Sequence, residues 1–162
     1  MADTREHAAA IRAELKKRGW NGRAVSVRME TFSMGSSINV VIKSASVPIA
    51  AVREIAKAHE SVSRCSVTGE ILGGGNMYVD VKYAAATINE MAAPIAAQLL
   101  TIVDAPRGTA VVLPGGFKAF RTDEPGDYWR ALRDGEPQHK GIYCWGRDFC
   151  ARQIAEKLGV AS

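Results

Sequence analysis

Apolar and polar residues alternate with a period of two in three stretches of the chain, residues 25–30, 37–43 and 76–83. This period is typical of β-strands that bury one face. The apolar positions are Val25, Val27, Met29, Ile38, Val40, Ile42, Met77, Val79, Val81 and Tyr83. We predict that the first two stretches form an antiparallel pair with residues 31–36 as their connection.

A period near 3.6 residues predicts amphipathic helices over residues 3–18, 48–60, 87–103 and 147–159. Their expected inward positions are Ala8, Ile11, Leu15, Ile49, Val52, Ile55, Ile88, Met91, Ile95, Leu99, Ile102, Phe149, Ile154 and Leu158.

The ends of these helices carry recognisable signals. Thr87 and Glu90 have the spacing of a capping box, so the third helix is expected to begin at Thr87. Pro94 is expected to bend or divide that helix, and Gly159 is expected to stop the last one.

The rest of the second half predicts strands and turns. Residues 109–122 have the pattern of a hairpin that turns at Pro114, and 141–145 predict a short last strand. Between them the sequence is rich in turn residues, with one helical turn expected at 128–132. The sum is an α+β fold of two layers, in which amphipathic helices pack on a mainly antiparallel sheet. We expect a single domain over residues 1–162.

No apolar run approaches the roughly 18 to 20 residues that a membrane-spanning helix needs. The longest candidate, "MAAPIAAQLLTIV", is interrupted by Pro94. The start "MADTREHAAA" lacks the apolar segment of a secretory signal. We therefore expect no membrane association and a cytoplasmic location.

The positive charge is concentrated near the N-terminus. Residues 1–43 hold eight Lys or Arg and four acids, whereas the remaining residues hold thirteen of each. Such an asymmetry creates a field that attracts acidic partners, either nucleic acid or an acidic protein surface. The alternative interpretation is a solvated helix face followed by a strand edge protected by cations. The candidate binding residues are Arg12, Lys16, Lys17, Arg18, Trp20, Arg23 and Arg28.

Aromatic side chains are candidates for stacking on nucleic-acid bases. They include Trp20, Phe32, Tyr78, Phe120, Tyr128, Trp129, Tyr143 and Trp145. No strand has the aromatic signature of a ribonucleoprotein motif. Trp20, beside the basic residues 16–18, is therefore the one basic and aromatic combination that the sequence singles out.

Two loops combine small and polar residues and are candidate ligand loops. Their residues are Ser33, Gly35, Ser36, Gly74 and Asn76. Neither loop has the Lys-Ser/Thr ending and following helix of a phosphate-binding loop. We interpret the first as a hairpin turn and the second as a flexible strand entry.

Catalytic and metal-binding residues are sparse. The cysteines, Cys65, Cys144 and Cys150, include no Cys-x-x-Cys pair, and His7, His59 and His139 are far apart in sequence. We expect reduced, mostly buried thiols, no metal and no cofactor. Cys144 with His139 is the weak candidate for a catalytic pair.

Acidic residues cluster between 123 and 136. They are Asp123, Glu124, Asp127, Asp134 and Glu136. We interpret them as a solvated loop. Alternatively, this loop contacts the basic N-terminal helix of a second chain and makes a homodimer.

The first half resembles a known family. A helix ending in Lys and Arg, the strand at Val25 to Arg28, the Ser-x-Gly-Ser-Ser stretch at 33–37, and Ile38 and Val40 resemble large polyvalent-protein-associated domain 29. The resemblance covers residues 5–83, a helix-hairpin-helix-strand module, and leaves 84–162 as an extension. It implies an origin in a phage or other mobile element and supplies no catalytic residues.

These observations favour a non-enzymatic interaction protein that binds a protein partner, and the resemblance extends this to an inhibitor of a host defence complex such as a CRISPR effector. A nucleic-acid-binding accessory protein that uses the N-terminal basic patch is the alternative. A small enzyme that uses Cys144 and His139 is the third hypothesis.

Overall fold

The chain forms two compact units, Met1–Ala84 and Ala85–Ser162. The computed structural model describes residues 3–33, 35–73, 75–137 and 140–161. We name the two parts the N-terminal unit and the C-terminal unit.

The N-terminal unit has the element order helix, strand, strand, helix, strand. The elements are α1 (Thr4–Lys17), β1 (Val25–Phe32), β2 (Gly35–Ile42), α2 (Ile49–Lys57) and β3 (Asn76–Tyr83). The sheet has the order β1-β2-β3, in which β1 and β2 are antiparallel and β2 and β3 are parallel. The expected antiparallel pair is therefore confirmed.

Local sequence explains how α1 begins and ends. Asp3 caps the first turn, and the side chain of Glu6 accepts a hydrogen bond from the backbone of Asp3, which completes a capping box. Lys16 and Lys17 lie in the last turn, where cations interact favourably with the helix dipole. The chain leaves the helix through Gly19, whose φ of 83° is available to glycine at little cost.

The core of this unit lies between the helices and one face of the sheet. Helix α1 packs on β1 and β2, and α2 packs on β3. The buried side chains are almost all aliphatic, and they include the predicted Ile11, Leu15, Ile38, Val40, Ile42, Val52, Val79 and Val81. The opposite sheet face carries the polar positions.

The connection between β1 and β2 is shorter than the sequence suggested. Phe32 pairs with Gly35, so Gly35 and Ser36 lie in β2 and not in a turn. Ser33 precedes Met34, which is outside the described residues. The ladder extends because β2 is also paired with β3, and Gly35 lies so close to Asn76 that a Cβ at position 35 would collide with the Asn76 carbonyl.

The C-terminal unit places a helix at each end of a meander. Its elements are α3 (Ala85–Leu100), β4 (Ala110–Leu113), β5 (Phe117–Arg121), β6 (Tyr128–Arg133), β7 (Ile142–Trp145) and α4 (Arg147–Ala161). The strands are antiparallel and adjacent in chain order. Helix α4 packs on α3, β6 and β7, and the core between these layers is centred on Trp129 and Phe117. The predicted hairpin around Pro114 and the last strand are confirmed.

One prediction for the first helix of this unit was wrong, and the division of the helix that was expected as one outcome at Pro94 does not occur. Helix α3 begins at Ala85, so Thr87 lies inside it and is buried rather than acting as a cap. The helix continues through Pro94 as one element. Ile95 and Leu99 are buried as predicted, which indicates that tertiary packing compensates for the backbone hydrogen bond that Pro94 cannot donate.

Three further predictions in this unit were wrong. Residues 128–133 form strand β6 and not a helical turn. Helix α4 continues past Gly159, and Phe149 is exposed. The inward face of α4 is made instead of Cys150, Ala151, Ile154 and Ala155, whose mostly small side chains allow close packing against α3.

The two units together confirm the predicted α+β class, since helices pack on sheets that are mostly antiparallel. Within the described part of the chain, no helix is both long enough and apolar enough to cross a membrane.

Candidate functional site

A groove of about 470 Å³ runs between α1 and the edge strand β1. We name it the basic groove. It is lined by Arg12, Leu15, Lys16, Trp20, Asn21, Gly22, Val25, Ser26 and Val27. Three of the predicted binding residues, Arg12, Lys16 and Trp20, therefore meet at one site.

Backbone hydrogen bonds hold Trp20 beside the helix. The Trp20 N–H donates to the Leu15 carbonyl at 2.9 Å, which folds the chain back against the end of α1. The Asn21 carbonyl then accepts from the N–H groups of Ala24 and Val25, both at 2.9 Å, which directs the chain into β1. The backbone of Trp20 is thus positioned by the local fold, at the end of α1 beside the groove.

The cations around the groove have different roles. Arg12 Nη2 donates to the Val27 carbonyl at 2.7 Å, so it anchors α1 to the edge strand while keeping its charge. Lys17 Nζ lies 2.5 Å from Glu14, and this contact lowers the pKa of the Glu14 carboxyl. Lys16 lines the groove and is exposed.

The other predicted cations do not line the groove. Lys17 and Arg18 are exposed at the end of α1, and Arg23 is exposed in the turn before β1. Arg28 is exposed on β1, on the sheet face opposite the helices. The predicted basic patch is therefore divided between the groove and separate parts of the surface.

The predicted loop residues Gly35, Ser36 and Asn76 meet at a second recess of about 470 Å³. The parallel register brings them together, because it pairs Gly35 with Asn76. Asp3, Thr4, His7, Thr31, Ser61, Gly75 and Met77 complete the lining. Gly74 lies outside the described residues.

The polar groups of this recess are engaged within the protein. Ser36 Oγ is 2.8 Å from Thr4 Oγ1. Asn76 accepts from the Ser63 N–H at 2.8 Å and donates to the Leu72 carbonyl at 2.7 Å. Asn76 is 3% exposed, so its amide fixes the segment that precedes β3 and has little surface to offer a ligand.

A contact between His7 and His59 was not predicted. Their Nδ1 atoms are 3.0 Å apart, which joins α1 to the end of α2. The residues are separated by 52 positions, so no local spacing could have indicated the pair. In the described part of the chain, no group of three or more His, Cys, Asp or Glu side chains could hold a metal ion.

The proposed catalytic thiol is buried. Cys144 lies in the core of the C-terminal unit, hydrogen-bonded to Cys150, and His139 lies outside the described residues. The hydrogen bond between the two thiols lowers the pKa of Cys144. Together with burial, the same hydrogen bond raises the pKa of Cys150. The arrangement offers no exposed nucleophile at Cys144.

Arg107 organises residues 122–127, the first part of the predicted acidic loop, whereas Asp134 and Glu136 follow strand β6. Its guanidinium donates to the carbonyls of Thr122 at 2.5 Å, Glu124 at 2.6 Å and Gly126 at 3.2 Å. The Asp127 carboxylate accepts from the Trp129 indole at 2.7 Å. The loop therefore has a defined shape and is tied to the C-terminal core.

Comparison with known proteins gives no match to a family model, to a curated protein or to a solved structure.

Proposed function

We propose that this protein is a non-enzymatic interaction protein whose basic groove binds an acidic, partly apolar segment of a protein partner. The observation that carries the proposal is the meeting of Arg12, Lys16 and Trp20 along an edge strand. Tryptophan and arginine are enriched among the residues that dominate protein interfaces. A carboxylate of the partner would meet the two cations, and an apolar side chain would pack on the indole.

The lining of the groove favours a protein segment over a nucleic-acid backbone. Leu15, Val25 and Val27 contribute apolar surface next to the cations. A phosphate backbone instead rewards a continuous stripe of cations. Here Arg18 and Arg23 lie outside the groove and Arg28 lies on the other face of the sheet, so the cations form no continuous stripe. Nucleic-acid binding by the basic patch is the alternative, and the experiment must distinguish it from binding of a protein segment.

The resemblance to the polyvalent-protein-associated family supports a more specific partner. We propose a protein of phage or mobile-element origin that acts in the cytoplasm of a bacterial host. Its partner would be a host defence complex, such as a CRISPR effector. Co-elution with a purified effector, and inhibition of that effector, would test this part separately from the chemistry of the groove.

The groove itself is tested with a defined probe. Binding of a fluorescent peptide of alternating acidic residues and leucine is measured by anisotropy, with the wild type, Lys16→Ala and Trp20→Ala. Each substitution is expected to weaken binding by about tenfold, since both side chains line the groove. Arg5→Ala is the matched control, because Arg5 is exposed on the same helix outside the groove.

The same variants are titrated with labelled single-stranded and double-stranded nucleic acid over a salt series. Steeply salt-dependent binding that Lys16→Ala removes, with no peptide binding, would establish the alternative. Peptide binding that Arg5→Ala weakens as much as Lys16→Ala would show an unspecific charge effect and would overturn the proposal.

A further inference from the structure

One face of the C-terminal sheet is covered by helices and the other is rich in aromatic side chains. Along each strand, alternate residues belong to the buried core, including Phe117, Ala119, Trp129, Ala131 and Cys144. The intervening residues point to the opposite face. We name that side the aromatic face. Its strand residues are Ala110, Val112, Lys118, Phe120, Tyr128, Arg130, Leu132, Tyr143 and Trp145.

The strand register brings the rings of this face together. Tyr128 pairs with Trp145, and Arg130 lies between Phe120 and Tyr143. The rings of Tyr128 and Tyr143 stack with their centroids 5.7 Å apart and their planes 8° from parallel. Trp145 is 70% exposed and Tyr143 is 51% exposed. These large ring surfaces are available to a ligand.

The charge of the face suits a polyanion. Its strand residues include two cations, Lys118 and Arg130, and no carboxylate, while the carboxylates of Asp123 and Glu124 lie in the loop beside the face. Asp134, beyond the end of β6, pairs with Lys118 at 2.9 Å, but both side chains are more than half exposed. Exposed pairs of this kind contribute little to stability because solvent screens them, so a phosphate can displace the aspartate at small cost.

A recess of about 450 Å³ opens beside the stacked rings. Phe120, Arg130 and Tyr143 form one side, and residues 121–124 with Gly108 form the other. The hydroxyl of Tyr143 donates to the Glu124 carboxylate, which holds the phenol at the edge of the recess. An aromatic wall with hydrogen-bonding groups opposite it suits a planar base.

We propose that the aromatic face binds single-stranded nucleic acid, with bases stacked on Tyr128, Tyr143 and Trp145 and phosphates contacted by Lys118 and Arg130. Exposed rings stack on bases that are unpaired, whereas a duplex hides its base faces. This activity is separate from the protein-binding groove, since it uses another unit and another class of ligand.

The test measures the anisotropy of short labelled oligonucleotides of RNA and DNA, each as a single strand and as a duplex. Single strands are expected to bind more tightly than duplexes. Trp145→Ala is expected to weaken single-strand binding by about tenfold, which is the scale of one lost stacking contact. Trp145→Phe, which keeps a ring, is expected to restore most of that loss.

Phe32→Ala is the matched control, because Phe32 is also an exposed aromatic residue but lies on β1 of the N-terminal unit, outside the face. Circular dichroism of each variant verifies folding. Equal binding of single strands and duplexes would overturn the proposal, as would single-strand binding that Lys16→Ala removes and Trp145→Ala does not. Binding of the acidic peptide that Trp145→Ala weakens, with no binding of any oligonucleotide, would also overturn it.

Discussion

The two units share a plan, in which helices cover one face of a sheet, but they place their aromatic residues differently. In the described part of the N-terminal unit Tyr83 is the only aromatic among the buried side chains, and the open sheet face is mainly polar. One aromatic pair, Phe32 and Tyr78, stacks near its end with centroids 6.3 Å apart. The C-terminal unit centres its core on Trp129 and Phe117 and carries further rings on its open face.

This difference indicates which open sheet face is the better candidate for ligand binding. A polar sheet face satisfies water and needs no other explanation. An open face with Trp145, Tyr143 and Val112 exposed leaves apolar surface in contact with solvent, and such surface commonly marks an interaction site. The comparison therefore directs attention to the C-terminal sheet for ligand binding and to the groove, rather than the sheet face, in the N-terminal unit.

The largest expected effect tests the division between core and open-face aromatics. Trp129→Ala should lower the free energy of unfolding by about 3–5 kcal/mol, because the side chain is fully buried. Trp145→Ala makes the same chemical change on the open face and should alter it by about 0.5 kcal/mol or less. Urea unfolding measures both values. Similar losses for the two variants would contradict their assignment to opposite faces of the sheet.

A second prediction concerns the close approach of β2 and β3 in the N-terminal unit. Gly35→Ala should destabilise the protein by about 1–3 kcal/mol, since the new Cβ would collide with the backbone carbonyl of Asn76. Gly22→Ala is the control, because a Cβ there meets no atom within 4 Å. Thermal unfolding compares the two. A neutral Gly35→Ala variant would show that the parallel pair is not packed this closely.

A third prediction contrasts one tyrosine from each unit. Burial raises the pKa of Tyr83, whereas the Glu124 carboxylate raises the pKa of Tyr143 to about 12. Glu124→Gln should return the Tyr143 pKa towards its ordinary value of about 10 and leave that of Tyr83 unchanged. Absorbance of the phenolates during alkaline titration measures both.

The sign of this effect on stability follows from the same contact. The native state holds the Tyr143 proton more tightly than the unfolded chain does, so the contact stabilises the fold below a pH of about 10. That contribution is lost as pH rises through about 12. A titration of Tyr143 that Glu124→Gln does not alter would exclude the contact.

The smallest expected effect on the stability of the fold comes from chemical modification of a thiol. Hydrogen bonds from Thr68 and from the Val67 backbone lower the pKa of Cys65 to about 7, while Cys144 and Cys150 are buried. Iodoacetamide at neutral pH should therefore modify Cys65 first, with little loss of stability. Mass spectrometry of the alkylated peptides identifies the site. Faster reaction at Cys144 would contradict its place in the C-terminal core.

The sequence predictions were more accurate for the strands of the N-terminal unit than for strand β6 of the C-terminal unit. In β1 to β3, polar residues alternate with apolar ones, so both the strands and their buried faces were predicted correctly. In β6, the sequence "YWRALR" has apolar or aromatic residues on both faces, which removes the alternation. A strand with two apolar faces has no period of two to detect, and we predicted a helical turn there.

The sites were predictable where sequence neighbours form them. Lys16 and Trp20 are four positions apart and were singled out together from the sequence, whereas the groove that both line was not predicted. The aromatic face was not anticipated, because its members come from three strands and meet only through the register of the sheet. The individual aromatic residues were visible in the sequence, but their common face was not.

The parallel pairing of β2 and β3 has a consequence for the order of folding. Strand β3 can join β2 only after the chain has passed through α2 and returned, whereas each strand of the C-terminal meander pairs with its neighbour in sequence. Distant pairings close larger loops and form more slowly than local ones. The sheet that leaves the ribosome last is therefore the one that we expect to assemble more quickly.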